Sequence, residues 1–223
     1  MKIFKLLFIS ILLLSSNLIA SKIAVATKVN GDVEIMPVDT KDFSKLKPGT
    51  VLSDGDKIRT GNSGFAAIIF IDDKSILKLK GNSEATIAGQ RTSASISKKI
   101  NMDSGTVRAT ITKQNVDFVI QTPTSVASVK GTDFWLLSNP ETGDQVMGLE
   151  GTIGLTNNET GQEVDVTQGM SGVSTPDGNL GLEETIESAL PEDPSEELEG
   201  SSEIKIYLEG PNGQQKVMII EYQ

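Results

Sequence analysis

At 223 residues, with 30 acidic against 20 basic side chains and a net charge of −10, the chain is long enough for one sizeable core and an appendage. It has no cysteine and no histidine, which excludes a cysteine nucleophile, a histidine base, disulfides and the usual zinc or copper ligand sets. Sites for hard cations, built from Asp and carbonyl oxygens, stay open.

The first twenty residues stand apart. Lys2 and Lys5 precede an apolar run, Leu6 to Leu14, and a small-residue stretch ends at Ala20, the pattern of a secretory signal peptide cleaved after Ala20. Leu18 is larger than the residue usual three positions before a cleavage site. The uncharged window between Lys5 and Lys22 is 16 residues, about 24 Å as a helix, against a hydrocarbon core of roughly 30 Å. A retained anchor is therefore the lesser reading, and no membrane span is expected after cleavage. Without cysteine the chain cannot be a lipoprotein.

Residues 21–180 carry 19 acidic and 16 basic side chains (net −3), and residues 181–223 carry 11 and 2 (net −9). A balanced body with an acidic tail has no basic face to neutralise phosphates, so nucleic acid is not an expected partner.

The body, residues 21–175, is a succession of short alternating segments broken by Gly, Asn and Asp. Ile23, Val25 and Val29 alternate with Ala24, Ala26 and Lys28. Ala94, Ile96, Ile100 and Met102 oppose Ser95, Ser97, Lys99 and Asn101; Val107, Ala109 and Ile111 oppose Thr106, Arg108 and Thr110. Ile153 and Leu155, then Val164 and Val166, repeat the pattern. Each segment offers one apolar face to a core. Ala66 to Ile71 is apolar on both faces and is predicted to be the most buried strand. No helical apolar stripe exceeds two turns. The predicted fold is all-β: a twisted, solenoid-like stack of short strands, with a two-sheet β-sandwich as the alternative.

Two stretches carry a family pattern. The first runs Gly49-Thr-Val-Leu-Ser-Asp-Gly55-Asp56-Lys-Ile58-Arg-Thr60-Gly61 and on through Ala66 to Asp72-Asp73-Lys74-Ser75 and Leu79. The second is Phe118-Val-Ile-Gln-Thr122-Pro123, followed by Val129-Lys130-Gly131-Thr132-Asp133-Phe134. Together they resemble the FecR domain family, an ordered match over most of positions 31 to 172. The resemblance implies an extracytoplasmic all-β module. Gly55, Asp56, Ile58, Gly61, Thr122, Pro123, Gly131, Thr132 and Phe134 are its motif positions, with structural roles expected: tight turns with positive φ at Gly55 and Gly61, a capping carboxylate at Asp56, close strand approach at Gly131 and core filling by Phe134. Lys74 stands where the family has Gly.

After Thr175, Pro176, Pro191, Pro194 and a Glu-rich run leave too little apolar surface for a core, so residues 176–202 read as an acidic linker, with at most a helical turn over Thr185 to Leu190. Residues 203–223 read as a β-hairpin turning at Pro211-Asn212-Gly213, expected to cap an exposed edge of the body, with an edge on a partner molecule as the lesser outcome.

The candidate chemical sites each compete with a structural reading. Asp103-Ser104-Gly105-Thr106 matches the aspartic-protease tetrapeptide, but those enzymes need two such carboxylates sharing a proton; a turn before a strand at Thr106 is preferred. Gly169-Met170-Ser171-Gly172 lacks a spacer of the nucleophile elbow and has no histidine to serve it. Asp54 with Asp56, and Asp72 with Asp73, are the best carboxylate pairs for Ca²⁺, without the ligand ladder of an EF-hand. Trp135 points opposite Phe134, to a partner, a sugar or a covering layer. No catalytic residue, metal or cofactor is assigned.

The preferred function is a non-catalytic, exported, periplasmic or secreted FecR-domain protein, a binding or scaffolding module of the cell envelope with an envelope protein or glycan as partner. A periplasmic sensing component of a FecR-type signalling system is the alternative. Only about five residues precede the apolar run, which leaves no room there for the cytoplasmic anti-sigma domain that the resemblance implies for such regulators. An aspartic-type hydrolase is the remote alternative.

Overall fold

The computed structural model describes residues 21–91, 95–113 and 118–194, and the backbone of 202–209 and 215–222. The signal segment read over 1–20 lies outside the described residues.

Seventeen strands form the body: β1 (Lys22–Asn30), β2 (Val33–Met36), β3 (Ser44–Lys45), β4 (Val51–Ser53), β5 (Asp56–Thr60), β6 (Phe65–Phe70), β7 (Ile76–Leu79), β8 (Glu84–Arg91), β9 (Ile96–Thr110), β10 (Phe118–Gln121), β11 (Ser125–Val129), β12 (Asp133–Asn139), β13 (Gly143–Glu150), β14 (Thr152–Asn157), β15 (Glu163–Thr167), β16 (Met170–Ser174) and β17 (Leu180–Glu184). Two more, β18 (Ser202–Glu209) and β19 (Gln215–Tyr222), pair only with each other among the described residues.

The body has two layers. Layer A runs β4-β1-β6-β7-β9-β12-β13-β16-β17, antiparallel throughout. Layer B runs β3-β2-β5-β8-β9-β10-β11-β14-β15, antiparallel except for the parallel β9–β10 pair. In both, strand order largely follows chain order, because hairpins are laid down on one layer and then the other. The stack expected from the sequence is thus built of two facing layers. One apolar core fills the space between them, from Ile23 to Val166; Phe70 of layer A meets Phe118 of layer B edge-on at 5.6 Å.

β9 belongs to both layers. Its first half pairs with β8 and β10 and its second half with β7 and β12. The crossing falls at Gly105, where φ is +112° and a Cβ would sit 2.4 Å from the Ser83 Cα, so only glycine fits. The turn expected at Asp103 to Thr106 is therefore a kink inside one continuous strand.

All six residues of β6 are buried, as expected from its two-faced apolarity. In β1, irregularities near Ile23 and Thr27 break the expected alternation: Ala24 and Ala26 enter the core, and Val25 lies outside it. The segment read as a linker is not structureless up to residue 194. β17 pairs with β16 along its length, and a single 3₁₀ turn follows at Glu187–Ala189. Backbone pairing with an existing edge orders β17 despite its exposed, acidic sequence. Among the described residues, no ladder joins the β18–β19 hairpin to a body edge, contrary to the expected edge docking.

Candidate functional site

The first motif builds a turn. Asp56 is buried, and its two carboxylate oxygens accept from Ser53 N (2.8 Å) and Val38 N (3.0 Å), tying the β4–β5 turn to the loop after β2. Gly55 has φ +93° and Ile58 is in the core. Gly61 does not take the positive φ expected of it. Close approach explains the residue instead: its N–H donates to Asp32 O, and an added Cβ would sit 3.1 Å from the Asp32 side chain. Asp54 accepts from Gly89 N at 2.9 Å, so the two carboxylates of this pair hold different backbone donors.

At the Asp72-Asp73-Lys74-Ser75 turn, Lys74 adopts φ +61° where the family has glycine. Asp73 accepts from Ser75 N at 2.9 Å, a local bond that holds this turn. The cation beside these carboxylates is Lys98, whose ammonium lies 2.9 Å from Asp72 and 2.7 Å from Asp73 with its side chain fully buried. Lys98 shares the core-facing register of Ile96 and Ile100, the sequence signal that could have placed it there. Among the described residues no cluster of three metal-ligating side chains occurs.

The second motif is also structural. Thr122 Oγ1 accepts from Thr124 N and Ser125 N and donates to buried Asp144, closing the β10–β11 turn in which Pro123 is exposed. Gly131 (φ +154°) lies against β9's continuation, where a Cβ would come 2.9 Å from the Lys113 Cα. Thr132 exchanges backbone hydrogen bonds with Ile111, and Phe134 is buried in the core.

The residues of the two hydrolase motifs are held in other contacts. Asp103 and Glu84 share the Lys57 ammonium, at 2.7 and 2.5 Å, rather than a proton. The Asp103 and Glu84 hydrogen bonds hold Lys57 above the ordinary lysine range. Ser171 is buried and bonded to the Thr185 hydroxyl at 2.9 Å.

What the sequence did not reveal is a row of side chains across the outer surface of layer A. Register places Lys28, Ala67, Lys78, Arg108, Trp135, Met147, Ser171 and Glu183 side by side on eight successive strands. The segment after β17 returns over this row. Thr185 sits on β16 through Ser171 and Gly169, and Asp193 reaches Lys78 (2.6 Å) and Arg108 (2.8 Å). Lys80 donates to the Glu192 carbonyl at 2.6 Å. Between those anchors the strap crosses β13 and β12. Arg108 also grips Asp133 with two nitrogens, and that pair, followed by Asp193, raises its pKa well above the ordinary arginine value. Lys80 and Arg108 flank the Trp135 ring, 5.7 and 5.8 Å from its centre, and Trp135 is 2% exposed. It is a covered tryptophan. The signal was available in part: an outward Trp on an alternating strand asks for a cover, and Pro-Glu-Asp-Pro offers the charge to match the cations.

A two-layered, all-β stack with these turn motifs defines a FecR-type domain. The chain belongs to the FecR protein family, whose profile matches residues 56–170, just over half of it. None of the curated proteins compared matches the chain. Among solved structures, two crystal structures of a proposed anti-sigma factor from Parabacteroides distasonis are similar to it, with TM-scores of 0.49 and 0.47 and 11% identity. The similarity covers 57% of this chain and 59% of that one, so the chain spans less than two thirds of that protein's length.

Proposed function

We propose that this FecR-domain protein is a non-catalytic, exported binding or scaffolding module of the cell envelope, with an envelope protein or glycan as its partner. One observation carries the reading: the polar groups that the sequence offers for chemistry are engaged in holding the stack. Asp103 is ion-paired to Lys57, Ser171 is buried against Thr185, Asp56 caps a turn, and Asp72 with Asp73 neutralises Lys98. What remains for function is surface. A sensing role in a FecR-type signalling system is the second reading, favoured by the family match itself.

Fractionation of the native host with intact-mass analysis, together with photo-crosslinking from position 183 on the outer edge of layer A, tests the proposal. It expects a mature protein beginning after Ala20 and a specific envelope crosslink. A protein retained in the cytoplasm, or a peptidase activity abolished by Asp103→Asn, would sink it. A change in sigma-factor-dependent transcription on gene deletion would select the signalling reading.

A further inference from the structure

Val25, Ala67, Ile69, Trp135 and Met147 are all buried, yet none belongs to the core between the layers. They lie on the outer surface of layer A, where Val25 is the register partner of Ile69 and Trp135 that of Met147. A sheet surface turned to water exposes such side chains, so this one is covered. The strap accounts for part of the cover, since its path from Thr185 to Asp193 passes over β13 and β12. Its anchors stop at β9 and β7, short of Val25, Ala67 and Ile69 on β1 and β6.

The chain runs from Pro194 to the start of β18 at Ser202, eight residues on, enough to reach about 27 Å when extended. Neighbouring strands are about 4.8 Å apart, so β6 and β1 are within range of the strap's anchor. The hairpin has an unmet need of its own, because two strands alone are marginal in water. Its register sets Ile204 opposite Ile220 and Ile206 opposite Met218, two apolar pairs at the centre of one face, between the Ser202–Tyr222 and Leu208–Lys216 pairs at its ends.

We propose that the C-terminal hairpin lays its Ile204, Ile206, Met218 and Ile220 face on the outer surface of layer A over Val25, Ala67 and Ile69, brought there by the Asp193 anchor. The strap is then held by charge and the hairpin by apolar contact. Docking on a face rather than an edge also fits the hairpin's separate ladder.

The absence of native cysteine makes the test direct. In the full chain, Ile69→Cys should react with a maleimide at least tenfold more slowly than Lys41→Cys at an exposed site. Adding Met218→Lys with Ile220→Lys should speed Ile69→Cys at least tenfold, while Ala109→Cys in the interlayer core stays protected in the same background. Rapid labelling with the hairpin intact, or slow labelling whatever the hairpin carries, overturns the proposal. If Ala109→Cys also becomes reactive, global unfolding has intervened, and an Ala67→Cys/Met218→Cys pair decides. An intrachain disulfide supports docking within one chain. Disulfide-linked dimers would assign the surface to a second copy's hairpin and overturn it, as would no disulfide at all.

Discussion

The Lys98 ammonium lies 2.7 Å from Asp73 with no exposed side-chain surface, so a lysine on the core-facing register of β9 answers the carboxylates of a turn in the opposite layer. It also lies 5.5 Å from the centre of the Phe70 ring. Removing one partner of a buried ion pair leaves the other charge uncompensated, which costs about 3–5 kcal/mol. Lys98→Met is therefore expected to lower the urea midpoint sharply, and Asp72→Asn with Asp73→Asn in the same chain should restore part of the loss. Equal midpoints for Lys98→Met and the parent would contradict the pairing.

Gly131→Val is expected to destabilise the protein by about 1–3 kcal/mol, because a β-branched side chain must enter a space where even a Cβ lies 2.9 Å from the Lys113 backbone. Ser104→Ala, at a partly exposed position of β9, should change stability by no more than about 0.5 kcal/mol. Urea melts of the two variants check the difference.

Asp103→Asn removes one of the two carboxylates on Lys57 at a half-exposed site, so a change within about 1 kcal/mol is expected. The pH dependence follows from the raised pKa of Lys57, caused first by Asp103 and then by Glu84. A group whose folded pKa lies above its unfolded value stabilises below the unfolded value, about 10.5 here, and loses that contribution as pH rises through the folded one. The stability difference between the parent and Lys57→Met should hold from pH 7 to pH 9 and fade above 10.5. A difference that disappears already at pH 8 would rule out this assignment.

The chain's only tryptophan reports on the strap. Asp193→Asn keeps the side chain's shape but gives up its charge toward Lys78 and Arg108. Local opening of the strap is expected, with acrylamide quenching of Trp135 rising at least twofold while the global urea midpoint moves by no more than about 1 kcal/mol in stability. Unchanged quenching would show that the strap is held by something other than these pairs.

Local pattern was enough for the strands themselves. Alternation placed Ile96, Ile100, Val107, Ala109, Ile153 and Leu155 on the core side, and the unbroken apolar run at Ala66 to Ile71 marked the most buried strand, because side-chain direction in a strand depends only on parity. Asp56 and Gly55 were legible as turn residues for a similar reason: their partners lie within a few residues or one loop. The tertiary structure alone decided four things. Irregular pairing in β1 moved Val25 off the core side, and Gly105 passed one strand between two layers, both results of register with neighbours distant in the chain. Lys98 found Asp72 and Asp73 25 to 26 residues away. Asp193, in a stretch whose composition promises no core, is ordered by Lys78 and Arg108, 115 and 85 residues earlier. Composition reports what a segment can bury by itself; it is silent on a surface that other strands prepare for it.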